Sequence, residues 1–221
     1  MRAGPTPRGA RPGRPRRPEA RAGQPGRALG AAVLELVKTV AGAAVLALLI
    51  MTFVARAFTV EGNSMLPTLH NGERLMVDKL TYRFREPQRG DIVVFRYPLD
   101  PREHYIKRIV GVPGDVVQVL DGRVYLNGTP LEEDYLASPT LGRFGPVQVP
   151  PRHYFVLGDN RNNSEDSRDP RLGFIPRELI EGRAVWRYWP LTRMSLITRP
   201  EVFTRLAAPP PAGARAAPAV P

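Results

Sequence analysis

The longest uncharged segment of the chain is the feature that most limits its fold. Thr39–Ala55 holds 17 consecutive residues without a charge, and Val33–Val37, in which Glu35 is the only charge, extends it on the N-terminal side. A membrane-crossing helix needs about 20 apolar residues, because each residue rises ~1.5 Å through ~30 Å of hydrocarbon. The segment therefore predicts an anchor helix over 33–58.

Two other interpretations of this segment are a cleaved secretory signal and a buried core helix. A cleaved signal has a shorter apolar region, about 7–15 residues, and ends in small residues. Here Phe53, Val54, Arg56 and Phe58 follow the apolar run instead. We therefore favour an anchor that is not cleaved.

The N-terminal tail, residues 1–30, carries most of the net charge of +11, with eight Arg against the single acid Glu19. Its many Pro and Gly residues and few aliphatic ones predict disorder, because too little apolar surface can be buried. By the positive-inside rule the tail is cytoplasmic, so a single-pass protein of the cell membrane is expected, with the rest of the chain extracytoplasmic. The tail lacks interleaved aromatic residues, which argues against nucleic-acid binding.

Beyond the anchor, residues 58–205 predict a mostly antiparallel, all-β domain of the barrel or sandwich type. Short runs rich in Val, Ile, Tyr and Phe alternate there with turn signals, a pattern typical of such folds. Asp121-Gly122 is the clearest turn, a two-residue hairpin connection. Trp186, Tyr188 and Trp189 are expected to pack in the core rather than to contact lipid. The Pro/Ala-rich segment 206–221 is predicted to be disordered. The β-patterned runs are RLMVDKL, DIVVFRY, YIKRIVGV, DVVQVL, RVYLNG, HYFVLGD and GRAVWRYW.

The chain contains no Cys, which excludes disulfides, thiolate metal sites and a cysteine nucleophile. Its three His show no ligand spacing, so neither a metal nor another cofactor is expected.

Three elements of the outer domain are candidates for chemistry: Ser64, Lys107 and the polar loop Gly158–Arg168. Lys107 is notable because only three of the 32 basic residues are Lys. Arg keeps its proton near neutral pH, whereas a desolvated Lys can lose it and act as a base. Taken singly, each element also fits a structural role: a turn Ser, an exposed strand Lys and a self-bonded connection.

Charged side chains of the polar loop can form ion pairs that keep it rigid, as a preorganised site requires. The residues in question are Asp159, Arg161, Asp166 and Arg168.

In combination, these elements resemble the type I signal peptidases, a family of membrane-anchored Ser/Lys endopeptidases. Four sequence boxes of that family occur in the right order behind the predicted anchor, and the resemblance spans about 58–189. The boxes are SMLPTL at 64–69, GDIVVF at 90–95, KRIVGVPGD at 107–115 and GDNRNNSEDSR at 158–168.

The resemblance implies that Ser64 is the nucleophile and Lys107 the general base, and that Ser164 hydrogen-bonds the lysine amine. It also implies supporting ion pairs among Arg108, Asp159, Asp166 and Arg168, and substrate pockets lined by Phe58, Thr59, Val60, Met65, Leu69, Tyr105 and Ile106. Some family members have Ser two residues before the nucleophile, where its hydroxyl binds the oxyanion. This chain has Gly62 there, so its second oxyanion donor is open, with the Gly62 backbone as one candidate.

The activity implied by the resemblance is removal of N-terminal signal peptides from exported preproteins, after small residues and through an acyl-enzyme. One rival is a self-cleaving repressor with the same dyad, although no helix-turn-helix pattern is present. A second is a Ser/His/Asp hydrolase that uses His70, His104 or His153. A third is a non-enzymatic, membrane-tethered β-domain used for binding or scaffolding.

Overall fold

A computed structural model describes residues 25–53 and 55–207, and its first element is a long helix. Helix α1 spans Pro25–Phe53, so the helix predicted over 33–58 is present but has different bounds. It ends early because the backbone from Ala55 onward pairs with another strand. None of the helices in the described residues is both long and apolar enough to cross a membrane.

The predicted tails lie mostly outside the described residues. Residues 25–30, which the sequence assigns to the N-terminal tail, belong to α1. At the other end, a short helix extends to Ala207 and includes the first two residues of the predicted C-terminal tail. Residues 1–24 and 208–221 are not described.

The rest of the described chain is mostly antiparallel β-sheet, as predicted, and all seven predicted β-runs contain a strand. Two short helices interrupt it, α2 Thr81–Phe84 and α3 Glu201–Ala207. The strands are β1 Ala55–Thr59, β2 Arg74–Asp78, β3 Ile92–Arg96, β4 His104–Gly111, β5 Val116–Leu120, β6 Arg123–Leu126, β7 Thr129–Pro130, β8 Phe144–Gln148, β9 His153–Leu157, β10 Ile175–Pro176, β11 Ile180–Trp189 and β12 Ser195–Leu196.

These strands form two sheets. The larger has eight strands in the order β1-β2-β11-β3-β4-β9-β10, with β12 paired to β11, and the smaller has the order β7-β6-β5-β8. In the larger sheet β1 and β10 are the edge strands, and β4 lies among the inner strands. The order matters because, within the described residues, one side of β1 has no strand partner near the site.

The predicted hairpin at Asp121-Gly122 is confirmed. Strands β5 and β6 pair with Leu120 opposite Arg123, which leaves two residues in the turn. Both have positive φ, 49° at Asp121 and 81° at Gly122. Such angles match the twist of a hairpin and are easily adopted by Asp and Gly.

Valine, leucine and isoleucine side chains on the buried faces form the core. A cluster beneath the site residues includes Val60, Met65, Leu69, Leu75, Val77, Ile92, Val94 and Ala184. Their burial removes apolar surface from water and holds β1, β2, β3 and the segment 60–69 together.

The expectation of core packing is wrong for two aromatic residues of β11. Trp186 is 37% exposed and Trp189 is 48% exposed, whereas Tyr188 is half-buried. The backbone register explains part of this, since β11 is irregular between Ala184 and Trp189 and its alternation of faces is lost.

Candidate active site

Ser64 and Lys107 lie in direct contact although 43 residues separate them in the chain. Ser64 lies in a turn after β1, and Lys107 lies in β4, where it pairs with Val93 of β3. Lys107 Nζ is 2.9 Å from Ser64 Oγ, a hydrogen-bond distance. This is the spacing that proton transfer between a hydroxyl and a basic amine requires.

Burial changes the acidity of the Lys107 amine. The residue is only 5% exposed, and desolvation lowers the pKa of its side chain from 10.5 to about 8. The negative charges of Asp166, Glu165 and Asp159 act in the opposite direction. Desolvation is the larger effect, so a neutral amine forms at a pH where an exposed lysine stays protonated.

The Ser64 turn, defined as residues 60–73, is closed at its base by backbone hydrogen bonds. Val60 N–H donates to the carbonyl of Glu73, and Gly72 N–H donates to the carbonyl of Val60, both at 2.8 Å. Inside the turn, Leu69 N–H donates to the carbonyl of Met65 at 2.9 Å. These bonds hold Ser64 at a fixed bend of the backbone.

Gly62 is a poor candidate for the second oxyanion donor. Its N–H already donates to Asn71 Oδ1 at 2.9 Å. Its φ of +82° explains why glycine occupies the position, since residues with a Cβ rarely adopt that angle.

The four charged residues named from the resemblance form two ion pairs close to Ser64 and Lys107. Arg108 donates to both carboxylate oxygens of Asp159, at 2.8 and 2.6 Å, and both side chains are almost fully buried. Arg168 donates to both oxygens of Asp166, at 2.8 and 2.9 Å. Arg108 follows Lys107 directly, so its pair with Asp159 ties β4 to the polar loop.

Arg161 pairs with a carboxylate outside the polar loop, not with Asp159 or Asp166 within it. It donates to both oxygens of Glu133 at 2.6 Å and is 1% exposed. No local sequence pattern indicates this pair, because Glu133 lies 28 residues away in an irregular segment.

Ser164 does not bond the lysine amine in this structure. Its Oγ is buried and has no hydrogen-bond partner among the described residues. The hydroxyl lies against Gly158, since a Cβ built on that glycine would overlap it. Lys107 Nζ bonds Ser64 instead, so the predicted bond between Ser164 and Lys107 is absent.

An open groove of about 880 Å³ contains both Ser64 and Lys107. Of the predicted pocket residues, Phe58, Thr59, Val60, Tyr105 and Ile106 line it. Sequence reasoning missed the other lining residues, which are Arg56, Ala57, Glu61, Asn63, Leu75, Val94, Arg102, Glu103, His104, Asn163 and Glu165.

The other two predicted pocket residues, Met65 and Leu69, do not line the groove. Each is 1% exposed and packs in the core cluster beneath it. The tight turn after Ser64 directs both side chains inward, so they support the groove from below.

Two strand edges border the groove. One is the free edge of β1. The other belongs to the first half of β4: residues 104–108 pair with β3 on one side, whereas β9 joins the opposite side only from Arg108 onward. Among the described residues, the backbone of 104–107 therefore has no strand partner on that side.

Within the described residues, none of the three histidines hydrogen-bonds Ser64. His70 Nδ1 is 3.8 Å from a Glu73 carboxylate oxygen, and His153 Nδ1 contacts the carbonyl of Pro151. His104 lines the groove, but its Nε2 is 3.2 Å from Glu181 Oε1. Among the described residues, the side-chain amine of Lys107 is the ionisable group that hydrogen-bonds the Ser64 hydroxyl.

Comparison with known proteins agrees with this geometry. The family model described as "Signal peptidase, peptidase S26" matches residues 33–189. A probable signal peptidase I-2 of Synechocystis sp. is 50% identical over 171 residues, which cover 75% of this chain and 77% of that protein. A signal peptidase I of Leptolyngbya laminosa is 46% identical over 179 residues, covering 77% and 87%.

Among solved structures, a crystal structure of a signal peptidase I from Enterococcus faecalis matches with 36% identity and a TM-score of 0.40. The match covers 45% of this chain and 97% of the Enterococcus faecalis chain. The family model spans well over half of the chain, and relatives above 40% identity cover about three quarters of it. This chain therefore belongs to the type I signal peptidases, the peptidase S26 family.

Proposed function

We propose that this chain is a serine endopeptidase that removes N-terminal signal peptides from exported preproteins. The observation that carries the proposal is the 2.9 Å contact between a buried lysine amine and Ser64 Oγ. A serine hydroxyl is a weak nucleophile until a neighbouring base takes its proton. Lys107 can supply that base once its amine is neutral.

In the first step, neutral Lys107 accepts the Ser64 proton while Ser64 Oγ attacks the carbonyl carbon of the scissile bond. With a pKa of about 8, about one amine in ten is neutral at pH 7. A bound apolar peptide covers the groove and removes more water, which favours the neutral form further.

In the second step, protonated Lys107 gives its proton to the leaving amine, and the peptide bond breaks to leave an acyl-enzyme on Ser64. Lys107 then takes a proton from a water molecule, which attacks the ester, and gives that proton to Ser64 Oγ as the ester bond breaks and the signal peptide is released. Arg108–Asp159 and Asp166–Arg168 hold the dyad in place in this scheme.

The substrate binds as an extended strand between the edges of β1 and β4. Both edges offer unused backbone N–H and C=O groups, so a peptide placed between them gains hydrogen bonds on two sides. Alternate side chains of a strand point the same way, so the first and third residues before the cut face the floor of the groove. Core residues such as Met65 and Leu69 are packed beneath the groove, so in this proposal its subsites for these two residues are shallow and accept small side chains.

We also propose that residues 33–58 include a single membrane anchor, with the N-terminus in the cytoplasm. Eight large apolar side chains of α1 between Val33 and Leu48 are more than half exposed, and a lipid environment would bury them. The excess of Arg before the anchor sets the orientation. The anchor keeps the groove near the membrane surface, where cleavage points emerge, and raises their effective concentration.

The test is cleavage of a purified secretory precursor by the detergent-solubilised full chain. Mass determination of the new N-terminus should place the cut after a small residue, with a second small residue two positions earlier. Ser64→Ala should abolish cleavage, and Ser138→Ala, which removes an exposed hydroxyl elsewhere, should not. Undiminished cleavage by Ser64→Ala would refute the proposal and favour a binding domain contaminated by another peptidase.

A further inference from the structure

Asn160, from the polar loop, bonds the backbone on both sides of Ser64. Its Nδ2 donates to the carbonyl of Asn63 at 3.0 Å. Its backbone N–H donates to the carbonyl of Ser64 at 2.9 Å. The residue therefore fixes two consecutive carbonyl groups, one before and one after the Ser64 α-carbon.

The first of these bonds determines where the Ser64 N–H points. The peptide between Asn63 and Ser64 is trans, and in a trans peptide the C=O and the N–H point in opposite directions. Asn160 holds the Asn63 carbonyl on its own side of the turn. Asn63 and Ser64 line the groove, and Asn160 does not. The Ser64 N–H therefore points away from Asn160, and Ser64 itself lines the groove.

The orientation of this N–H matters more here because the neighbouring donor is occupied. Gly62 N–H donates to Asn71 Oδ1, and the serine hydroxyl that some family members carry at this position is missing. No acceptor for Ser64 N–H is found in the described part of the chain. It is thus a free backbone donor beside the nucleophile.

We propose that Asn160 is a positioning residue that aims the Ser64 N–H at the oxyanion. The inference rests on the proposed function, because an oxyanion forms only if Ser64 attacks a carbonyl. A donor held at the place where negative charge develops stabilises the transition state more than the ground state. The Asn160 side chain touches no reacting atom and acts through the Asn63–Ser64 peptide.

The test is Asn160→Leu, which removes the Nδ2 donor but keeps the backbone N–H and adds no charge. Loss of a whole oxyanion donor lowers kcat by about 10²–10³-fold. A donor that is only misaimed should lower kcat by about ten- to hundred-fold, with KM changed less than about twofold. The pH at which activity is half-maximal should not move, because the contact between Lys107 and Ser64 is untouched.

A peptide aldehyde ending in Ala separates positioning from general damage. Its carbonyl carbon bonds Ser64 Oγ, and the resulting hemiacetal oxygen occupies the oxyanion position. Asn160→Leu should lower the affinity for the aldehyde by the same factor as it lowers kcat. The affinity for the matching peptide alcohol, which forms no covalent bond with Ser64, should not change. This comparison reports on the groove even if the variant is less stable.

Asn162→Leu is the matched control. Asn162 lies in the same loop and its Nδ2 also donates to a backbone carbonyl, that of Pro139 at 3.0 Å. Its loss should leave the ratio of aldehyde to alcohol affinity unchanged. An unchanged ratio in Asn160→Leu, with a fully active wild type, would overturn the role of Asn160 alone. A wild type that neither cleaves nor binds the aldehyde would overturn the proposed function as well.

Discussion

Replacing Lys107 with Met should make the protein inactive and more stable at neutral pH. The lysine is 5% exposed, and its amine must be buried with its charge whenever it is protonated. A pKa of about 8 in place of 10.5 corresponds to about 3 kcal/mol, because one pKa unit equals about 1.4 kcal/mol. Met has a similar length and no charge, so the substitution removes this penalty. Loss of the hydrogen bond to Ser64 lowers the stability of the variant by about 1 kcal/mol.

The pH dependence of this gain identifies its cause. Between pH 8 and 10.5 the unfolded chain holds a proton on Lys107 that the native protein has released, so wild-type stability rises with pH across that window. The variant has no such group. Its advantage should therefore be complete below pH 8 and shrink by about 3 kcal/mol as the pH approaches 10.5.

Thermal unfolding of the detergent-solubilised full chain is the measurement. At pH 7 a net gain of about 2 kcal/mol should raise the Tm of the variant by about 4–8 °C for a chain of this size. Lys79→Met, which removes a lysine outside the groove, is the reference for loss of one amine. A difference between variant and wild type that stays constant from pH 7 to 10 would refute the account of Lys107 as a buried, readily neutralised base.

Three further predictions follow from the site. Gly158→Ala should reduce precursor cleavage at least ~100-fold, because the new Cβ would lie 2.5 Å from the Ser64 carbonyl oxygen, whereas Gly42→Ala, with no atom within 4 Å, should not. Asp159→Asn should lower the free energy of unfolding by about 3–5 kcal/mol, because it leaves Arg108 buried without its counter-charge; a loss below 1 kcal/mol in a denaturation experiment would contradict this. At substrate concentrations well below KM, where the rate reports the free enzyme, cleavage should rise with pH, reach half of its maximum near pH 8 and keep that midpoint in His104→Ala; a midpoint that disappears with the histidine would favour a histidine base.

The strands of the β-rich domain can be predicted from sequence because each carries its own signal. Runs such as DIVVFRY and HYFVLGD are apolar, β-branched and bounded by turn residues, and each forms a strand. The hairpin at Asp121-Gly122 needs only local backbone angles. The C-terminal end of α1 was placed too far along the chain because the pairing that ends it, Ala55 opposite Asp78, joins residues distant in sequence.

In the candidate site, too, the residues that local sequence motifs mark can be predicted, and the contacts that depend on tertiary packing cannot. Ser64, Lys107, Arg108 and Asp159 can be predicted because family boxes mark them, whereas the pairing of Arg108 with Asp159 is seen only in the structure. Met65 and Leu69 were assigned to the groove by position, but the direction of a side chain in a tight turn depends on three-dimensional packing. Two further contacts join segments that are distant in sequence, so no local pattern reveals them. They are the ion pair between Arg161 and Glu133 and the hydrogen bond from Asn160 to the Asn63 carbonyl.

Within the described residues, two strand edges without a strand partner flank the groove. The groove therefore selects a substrate peptide by its backbone conformation as well as by its sequence. A peptide fits only when it is extended and has both of its own sides free. Segments inside a folded mature domain fail this condition, since their N–H and C=O groups are already committed to neighbours. Folded mature proteins are therefore not cleaved, and the groove binds only the short, unstructured segment around a cleavage point.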